Sequence, residues 1–357
     1  MNFSADDHRH MAEALRLARR GLWTTDPNPS VGCVLAHGCE VIGRGYTQRP
    51  GEPHAEIMAL RDAGPRARGA TVYSTLEPCS HYGRTPPCAD ALIEAGVAKV
   101  ISAMRDPNPL VDGSGNDRLK KADIEVQSGL MEPHARDLNP GFISRFERGR
   151  PWLRAKIAGS LDGRTTGPDG ESKWITSEHA RADGHRFRAR ASAILTGIET
   201  VLADDPTLDV RLAEFQKTPP IIVLDSQARL PQDAKILHSS ASVLQVTGHA
   251  TANPVCEQLL LEAGADGHIP LKQLMPMLAE REINELHVEA GATLTGSLLM
   301  QNLVDELIVY QADCLIGDQG RGLLALPGME KLDQRLHLRL LERRQIGPDW
   351  RLRYAMA

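Results

Sequence analysis

Aromatic side chains are scarce in this chain: phenylalanine, tryptophan and tyrosine together make up 4% of its 357 residues. That scarcity argues against a surface that stacks the successive bases of a nucleic-acid strand. Positive charge is not in excess either, because 46 acidic residues outnumber 41 lysines and arginines. Binding to a phosphate backbone depends on accumulated lysine and arginine. We therefore expect no nucleic-acid partner, although a local group of arginines could hold one small phosphate.

Long apolar runs and a disulfide framework are also missing. No run approaches the roughly 18 apolar residues of a membrane span, and the polar start MNFSADDHRH lacks the basic and apolar stretches of a signal peptide. Six cysteines in a chain of this length are too few for a disulfide scaffold. We expect no membrane association and a cytoplasmic location.

The length of 357 residues favours two domains. Both halves alternate predicted strands and helices, an order typical of α/β domains in which helices cover a sheet. The pattern weakens between Pro133 and Pro151, in a charged segment that carries three prolines. We place the boundary near Gly149–Pro151, which gives domains at 1–149 and 150–357.

Local patterns predict individual elements. In the first domain they indicate a hairpin of Val31–Ala36 with Glu40–Tyr46 and a helix over Cys88–Ala95, which Gly96 ends. In the second domain they predict a helix over Val255–Ala263.

The clearest chemical signal is His54-Ala55-Glu56, followed by Pro78-Cys79 and then by Cys88. One imidazole and two thiolates suit zinc, and three protein ligands leave a tetrahedral position for the water of a catalytic site. Zinc lowers the pKa of such a water to about 7. Glu56 would carry protons between that water, a ring nitrogen and a leaving amine. A structural zinc site would need a fourth ligand, for which His81 is the nearby candidate.

His-x-Glu with a later Pro-Cys-x-x-Cys is the signature of zinc nucleobase deaminases, but here eight residues separate Cys79 from Cys88. That spacing, and the sequence around it, resembles the bifunctional deaminase/reductase family of riboflavin biosynthesis. The stretches that carry the resemblance are Asp26–Val34, Gly51–Glu56, Thr75–Cys88, Ala155–Arg164, Trp174–Ser177 and Gly197–Arg211.

The resemblance implies an α/β fold with a cytidine-deaminase-like three-layer N-terminal domain and a dihydrofolate-reductase-like C-terminal domain. It implies Zn2+ and NADPH as cofactors, a small phosphoribosyl-pyrimidine as substrate, and a homo-oligomer, expected to be a dimer. The implied reactions are deamination of 2,5-diamino-6-ribosylamino-4(3H)-pyrimidinone 5′-phosphate and NADPH-dependent reduction of the ribosyl group of 5-amino-6-(5-phosphoribosylamino)uracil to ribityl.

The resemblance also assigns site residues. Zinc falls to His54, Cys79 and Cys88, and catalytic proton transfer to Glu56. The implied NADPH contacts are Ala158, Trp174, Thr200, Asp204, Ser226, Gly291, Ala292, Thr293, Leu294, Thr295, Gly296 and Ser297. The implied substrate contacts are Asn28, Ser172, Arg188, Leu208, Arg211 and Glu289. In the Cys79–Cys88 loop, His81 and Arg84 are further candidates for the substrate phosphate.

The residues of the second half are less explicit by themselves. No Gly-x-Gly-x-x-Gly follows a first strand, so the usual dinucleotide fingerprint is absent. Small residues follow the predicted strand Leu286–Val288, and a helix predicted to begin at Ser297–Leu298 would offer free N–H groups to a phosphate. The family usually has Gly-Gly-Pro where this chain has Ala290-Gly291-Ala292. Lys156 and Asp162 are candidates to assist protonation.

Three other functions remain open at this point. A deaminase of RNA bases would share the zinc site, but the cysteine spacing, the charge and the second domain disfavour it. A regulatory or structural zinc protein would bind metal and release no ammonia. An enzyme with one inactive half is the third alternative, and the departures at Ala290 and Ala292 point to the reductase half.

Overall fold

The computed structural model describes residues 3–80, 86–109, 111–212 and 217–356. The chain folds into two compact units, Met1–Gly149 and Arg150–Ala357. Each unit has its own β-sheet and its own apolar core. Within the described ranges, no helix is both long enough and apolar enough to cross a membrane.

The sheet of the first unit is mixed. Its strands are β1 (Gly32–His37), β2 (Glu40–Tyr46), β3 (Thr71–Ser74), β4 (Lys99–Ser102) and β5 (Glu125–Ser128). Their order in the sheet is β2-β1-β3-β4-β5. β1 pairs antiparallel with β2 and β3, whereas β3, β4 and β5 run parallel. The predicted hairpin is confirmed.

Helices cover both faces of this sheet. They are α1 (Ala5–Ala18), α2 (Ala55–Ala63), α3 (Cys88–Ala95), α4 (Ser114–Lys121), α5 (Glu132–Leu138) and α6 (Pro140–Arg148). A Cβ on Gly32 would lie 1.9 Å from the carbonyl oxygen of Ala14 in α1. A Cβ on Gly45, which points to the other face, would lie 2.1 Å from the carbonyl oxygen of Ala55 in α2. Glycine is therefore required on both strands for α1 and α2 to approach the sheet this closely.

The segment in which the sequence pattern weakens contains the two helices α5 and α6. Pro133 and Pro140 occupy the first turn of these helices, where the missing N–H of proline has no partner in the helix in any case. The prolines therefore mark helix starts here, and the sequence pattern missed both helices.

The sheet of the second unit is larger. Its strands are β6 (Trp152–Ser160), β7 (Ala193–Gly197), β8 (Ile221–Leu224), β9 (Val243–Thr247), β10 (Glu257–Leu260), β11 (Glu285–Val288), β12 (Glu306–Ala312), β13 (Leu338–Ile346) and β14 (Asp349–Met356). The order is β10-β9-β8-β7-β11-β6-β12-β14-β13, and every neighbouring pair is parallel except β12–β14 and β14–β13, which are antiparallel. Its helices are α7 (Glu178–Arg190), α8 (Ile198–Asp204), α9 (Leu271–Glu280) and α10 (Ala292–Met300).

The two faces of this sheet differ in chemistry. Along β6, Leu153 and Ala155 point into an apolar core that includes residues of α9 and α10. Arg154 and Lys156 point to the opposite face, where the Arg154 guanidinium lies 5.7 Å from the ring centroid of Phe187 in α7. Alternation along β6 therefore separates an apolar face from a charged face.

The helix predicted over Val255–Ala263 is wrong. Residues Glu257–Leu260 form β10, the edge strand that pairs parallel with β9. The Gln258 side chain donates to the Gln245 side chain of β9 at 2.6 Å. Pairing with an otherwise open strand edge overrides the helical spacing of the apolar residues, because tertiary context outweighs local propensity.

Candidate functional site

The three predicted metal ligands meet in the first unit. His54 immediately precedes α2, Cys88 is the first residue of α3, and Cys79 lies in the loop after β3. The Sγ atoms of Cys88 and Cys79 are 3.3 and 3.6 Å from His54 Nδ1. All three ligand atoms lie within 4.8 Å of one another. Two helix N-termini and one loop therefore bring together groups that are 34 positions apart at most.

This donor set fits zinc. The backbone N–H of Cys88 donates to Cys79 Sγ at 3.3 Å. The hydrogen bond between the two thiols, with a contribution from His54, lowers the pKa of the Cys79 thiol, and the same bond together with burial raises the pKa of the Cys88 thiol. The thiolate is the form that binds metal, and the N-terminus of α3 favours negative charge. An imidazole and two thiolates leave the fourth tetrahedral position of zinc open.

Glu56 lies beside these ligands in the first turn of α2 and is 4% exposed. Ser74 of β3 donates a hydrogen bond to Glu56 Oε1 at 2.9 Å. Burial raises the pKa of the Glu56 carboxyl. Cys33 is fully buried, and burial together with the charge of Glu56 raises the pKa of its thiol.

Asn28 lies in the loop before β1 and donates its backbone N–H to the Thr25 carbonyl at 2.8 Å. Asn139 anchors this loop two residues further on, because it accepts from the Ser30 N–H at 2.7 Å and donates to the Ser30 carbonyl at 3.0 Å. The substrate role of Asn28 stays a prediction. The candidates His81 and Arg84 lie outside the described residues.

Sequence reasoning missed two buried acids near the metal ligands. Glu77, two residues before Cys79, is 3% exposed, and Asp106 is 6% exposed. Burial, together with the negative charges of Glu77 and Cys79, raises the pKa of Asp106 to about 7. The available sequence signal was weak: an acid directly before Pro78-Cys79, and a second acid in a Pro/Asn-rich turn.

In the second unit, one cleft of about 2180 Å³ opens where β7, β8 and β11 end. Small-molecule pockets usually enclose about 300–1,000 Å³, so this cleft has room for a dinucleotide and a second ligand. The carboxyl ends of parallel strands are the usual place for such a site. The predicted contacts that line the cleft are Ala158, Ser172, Trp174, Arg188, Thr200, Asp204, Leu208, Arg211, Ser226, Glu289, Gly291, Ala292, Thr293, Leu294 and Ser297.

Two predicted cofactor contacts lie elsewhere. Thr295 is 1% exposed, and its hydroxyl donates to the Ala290 carbonyl at 3.4 Å. A Cβ on Gly296 would lie 1.8 Å from the carbonyl oxygen of Ala325. Both residues pack on the inner side of α10, and neither lines the cleft.

The helix start predicted at Ser297–Leu298 is wrong, because α10 begins at Ala292 with Gly291 as its N-cap. The N–H groups of the first turn have no partner within a helix and form a ready site for a phosphate. Around Gly291 the nearest atom to an added Cβ would be Thr200 Oγ1 at 4.0 Å. Open space therefore lies beside Gly291, and the first turn of α10 lines the cleft.

A charge cluster lines the same cleft. Arg188 donates to both carboxylate oxygens of Glu289 through Nε and Nη2, and to the Asp209 carbonyl through Nη1 at 2.9 Å. Lys156 Nζ lies 3.7 Å from Glu289 Oε2. Burial raises the pKa of Glu289, but the charges of Arg188 and Lys156 outweigh this effect and hold the pKa well below its usual range. Glu289 is therefore an anion enclosed by cations.

The remaining candidates differ in how they are held. Arg211 is 62% exposed and pairs with Asp209 at 2.9 Å, so its guanidinium reaches solvent in the cleft. Trp174 is 68% exposed, with the Arg181 guanidinium 4.3 Å from its ring centroid. Asp162 caps a turn by accepting the Gly317 N–H at 2.7 Å and is not among the cleft-lining residues. Of the two candidates for protonation, the structure thus places Lys156 at the cleft.

Comparison with known proteins gives two family matches. Residues 4–104 match the cytidine and deoxycytidylate deaminase zinc-binding region, and residues 151–352 match the RibD C-terminal domain. The chain is 48% identical to the riboflavin biosynthesis protein RibD of Escherichia coli, over 96% of this chain and 97% of that protein. It is 39% identical to the RibD of Aquifex aeolicus, with 96% of each chain covered.

Solved structures agree. RibD from Acinetobacter baumannii superposes with a TM-score of 0.92 at 43% identity, covering 99% of both chains. A protein from Thermotoga maritima, described as a diaminohydroxyphosphoribosylaminopyrimidine deaminase/5-amino-6-(5-phosphoribosylamino)uracil reductase, superposes with a TM-score of 0.88 at 30% identity and 99% coverage of both chains. The α/β fold with a deaminase-like first unit and a reductase second unit is confirmed. The chain belongs to the RibD family, and it is a bifunctional enzyme of riboflavin biosynthesis that combines a zinc-dependent deaminase with an NADPH-dependent reductase.

Proposed function

We propose that the first unit deaminates 2,5-diamino-6-ribosylamino-4(3H)-pyrimidinone 5′-phosphate and that the second unit then reduces 5-amino-6-(5-phosphoribosylamino)uracil with NADPH. The observation that carries this proposal is the cluster of His54, Cys79 and Cys88 with Glu56 beside it, in one chain with a cleft large enough for two ligands. The Thermotoga maritima relative is named for the same pair of activities.

In the deaminase, His54, Cys79 and Cys88 would hold zinc, which when bound would supply an activated water for attack on the substrate. Glu56 accepts a proton from the attacking water and delivers protons to the ring nitrogen and to the leaving amine. The Ser74 hydroxyl, 2.9 Å from Glu56 Oε1, orients the carboxylate for both transfers. Asn28 would hydrogen-bond the substrate through its side-chain amide.

In the reductase, the first turn of α10 binds a phosphate of NADPH through backbone N–H groups. The other proposed cofactor contacts are Ala158, Trp174, Thr200, Asp204 and Ser226. These assignments are supported by the position of all five residues, which line the same cleft as the first turn of α10. NADPH, when bound, supplies the hydride for C1′ of the ribosyl group, and the protein positions the two ligands and excludes water.

The substrate of the reductase would lie against Ser172, Leu208, Arg211 and the Arg188–Glu289 pair, which line the cleft. We assign the phosphate to Arg211, because its guanidinium is exposed and can form charge-assisted bonds. The Arg188 fork is already engaged by Glu289, so Arg188 would act by holding that carboxylate. Opening of the ribose ring leaves an oxygen that needs a proton, which we assign to Lys156.

The decisive assay follows ammonia release and NADPH oxidation together on the diaminopyrimidinone phosphate. Ammonia is expected without NADPH, and NADPH should be consumed only after deamination. Glu56→Gln should keep zinc, lose ammonia release by about 100-fold or more, and still reduce pre-deaminated substrate. Glu52→Gln, at an exposed position near the same helix, is the matched control. Ammonia release at the wild-type rate in Glu56→Gln would refute the role of Glu56.

The phosphate assignment has its own test. Arg211→Ala should raise the KM of the reductase for its phosphorylated substrate by about tenfold or more, because a charge-assisted hydrogen bond contributes about 1.5–3 kcal/mol. Arg186→Ala, which removes a 56% exposed arginine of α7 that does not line the cleft, is the control. An unchanged KM in Arg211→Ala would rule out the phosphate contact.

A further inference from the structure

Glu77 is a buried acid for which the reaction has no evident use. It follows β3, two residues before the ligand Cys79, and is 3% exposed. Its backbone N–H donates to the Met104 carbonyl at 3.1 Å, which places it next to the end of β4. A carboxylate this deeply buried is costly unless its oxygens accept hydrogen bonds, so its partners indicate what it does.

Those partners all come from one segment, residues 106–116. Glu77 Oε2 accepts the backbone N–H groups of Gly113 at 3.1 Å and of Asp106 at 3.4 Å, and Oε1 accepts the Asn116 N–H at 3.0 Å. Gly113 is the N-cap of α4, and Asn116 lies in the first turn of that helix. The carboxylate therefore meets helix N–H groups that have no helix partner, at the end of the helix dipole that favours negative charge.

The backbone next to Glu77 is in equally close contact with the same segment. A Cβ on Gly115 would lie 1.9 Å from the Pro78 carbonyl oxygen and 3.3 Å from Glu77 Oε1. After Cys79, the Ser80 carbonyl accepts from Arg118 Nη1 of α4 at 3.4 Å. The backbone is thus held on both sides of Cys79, and Glu77 supplies three of the hydrogen bonds.

We propose that Glu77 is a positioning residue for the metal centre, which fixes the Cys79 backbone against the start of α4 so that its sulfur stays within reach of His54 and Cys88. This proposal rests on the zinc site proposed above. Residues that orient metal ligands typically change metal affinity by about 10–100-fold when they are substituted. Glu77 acts through the backbone and needs no contact with the metal.

Zinc retention of the full-length protein tests the proposal directly. Zinc-loaded protein is mixed with excess chelator, well below its melting temperature, and zinc release is followed by a colorimetric metal indicator. Glu77→Ala should release zinc at least about tenfold faster than the wild type. Glu77→Gln keeps one acceptor oxygen, so its zinc-release rate should lie between those of Glu77→Ala and the wild type. Glu94→Gln, at an exposed position of α3, should release zinc at the wild-type rate.

The outcomes separate a positioning role from a general loss of stability. The Glu77 variants should reduce pre-deaminated substrate with NADPH at the wild-type rate. In the zinc-free full-length proteins, the free energy of unfolding of the first unit, measured in urea, should not follow the order of the zinc-release rates. Wild-type release from Glu77→Ala overturns the proposal. If Glu77→Ala does not fold, wild-type release from Glu77→Gln overturns it equally. If Cys88→Ser retains zinc like the wild type, the zinc site itself is wrong, and that result is distinguishable because it does not involve Glu77.

Discussion

Substitution of Arg154 by methionine would test the charged face of the second sheet. Arg154 is 2% exposed, and its Nη1 and Nε atoms each lie 2.8 Å from a carboxylate oxygen, of Glu285 and Glu306 respectively. Each carboxylate has a second cation, Arg190 for Glu285 and Arg353 for Glu306. Arg154 therefore bridges two buried carboxylates, which lie on β11 and β12 on either side of β6.

The expected loss of stability in Arg154→Met is large, but the second cations of the two carboxylates limit it. Removing one member of a buried ion pair costs about 3–5 kcal/mol, because a buried charge is left uncompensated. Here Arg190 and Arg353 still compensate the two carboxylates, so we expect a loss of about 3 kcal/mol in the free energy of unfolding. Methionine fills most of the space of the arginine stem, which keeps the lost packing small.

Protonation of Glu306 adds a pH dependence. Burial raises the pKa of Glu306, but the charges of Arg154 and Arg353 outweigh this effect and lower the pKa from 4.5 to about 2. That depression corresponds to about 3 kcal/mol. Because the folded pKa is the lower one, this stability is fully present above about pH 4.5 and is lost as the pH falls towards 2. Arg154→Met raises the folded pKa of Glu306, so its cost should shrink over the same range.

Urea unfolding at pH 7 and pH 4, with loss of reductase activity or near-UV circular dichroism as the signal for the second unit, measures both effects. Arg281→Met is the matched control in the same unit, because Arg281 pairs with Glu257 at 2.7 Å while the two side chains are 41% and 60% exposed. An exposed pair contributes about 0–1 kcal/mol. Equal losses in the two variants, or an Arg154→Met cost that does not fall at pH 4, would refute the reasoning.

Three further predictions concern the packing and the two sites. Gly45→Ala should destabilise the first unit by about 1–3 kcal/mol, because the added Cβ would lie 2.1 Å from the Ala55 carbonyl oxygen. Gly184→Ala should instead stabilise the second unit by about 0.5–1 kcal/mol, because Gly184 lies within a helix and an added Cβ would meet no neighbouring atom within 4 Å. Thermal unfolding that shifts in the same direction for both variants would contradict this. Removing the metal with a chelator should abolish ammonia release and preserve NADPH oxidation on pre-deaminated substrate, and joint loss would disprove separate sites. His287→Leu should lower the reductase kcat/KM, because His287 Nε2 lies 3.3 Å from Glu289 Oε1, and His287→Gln should restore part of it; unchanged kinetics in His287→Leu would mean that the ring only fills space.

The elements that the sequence predicts well are those whose ends depend on neighbouring residues. The hairpin of β1 and β2 pairs His37 with Glu40 across a two-residue turn. Gly96 ends α3 in a left-handed conformation with φ of 70°, which glycine adopts at little cost. These are interactions between residues a few positions apart, so a single sequence contains all the information they need.

Elements that depend on distant partners were predicted less well. Glu257–Leu260 forms a strand only because β9 offers an unpaired edge, and nothing in its own apolar spacing indicates that edge. The start of α10 was placed five residues late, because the small residues after Gly291 suggested a loop. In the site, residue type and spacing were enough for His54, Cys79 and Cys88, whereas Glu77 escaped notice because its partners lie about 29–39 positions further along the chain.

The charged face of the second sheet shows why alternation alone was insufficient. In β6, Arg154 and Lys156 alternate with apolar residues, a pattern that normally indicates a strand with one face in water. Yet β6 is a central strand, and Arg154 is almost fully buried beneath α7. Its carboxylate partners come from β11 and β12, which are 131 and 152 positions away in sequence. The alternation therefore identifies the two faces correctly, but only the order of the strands determines whether water or a set of paired charges covers the polar one.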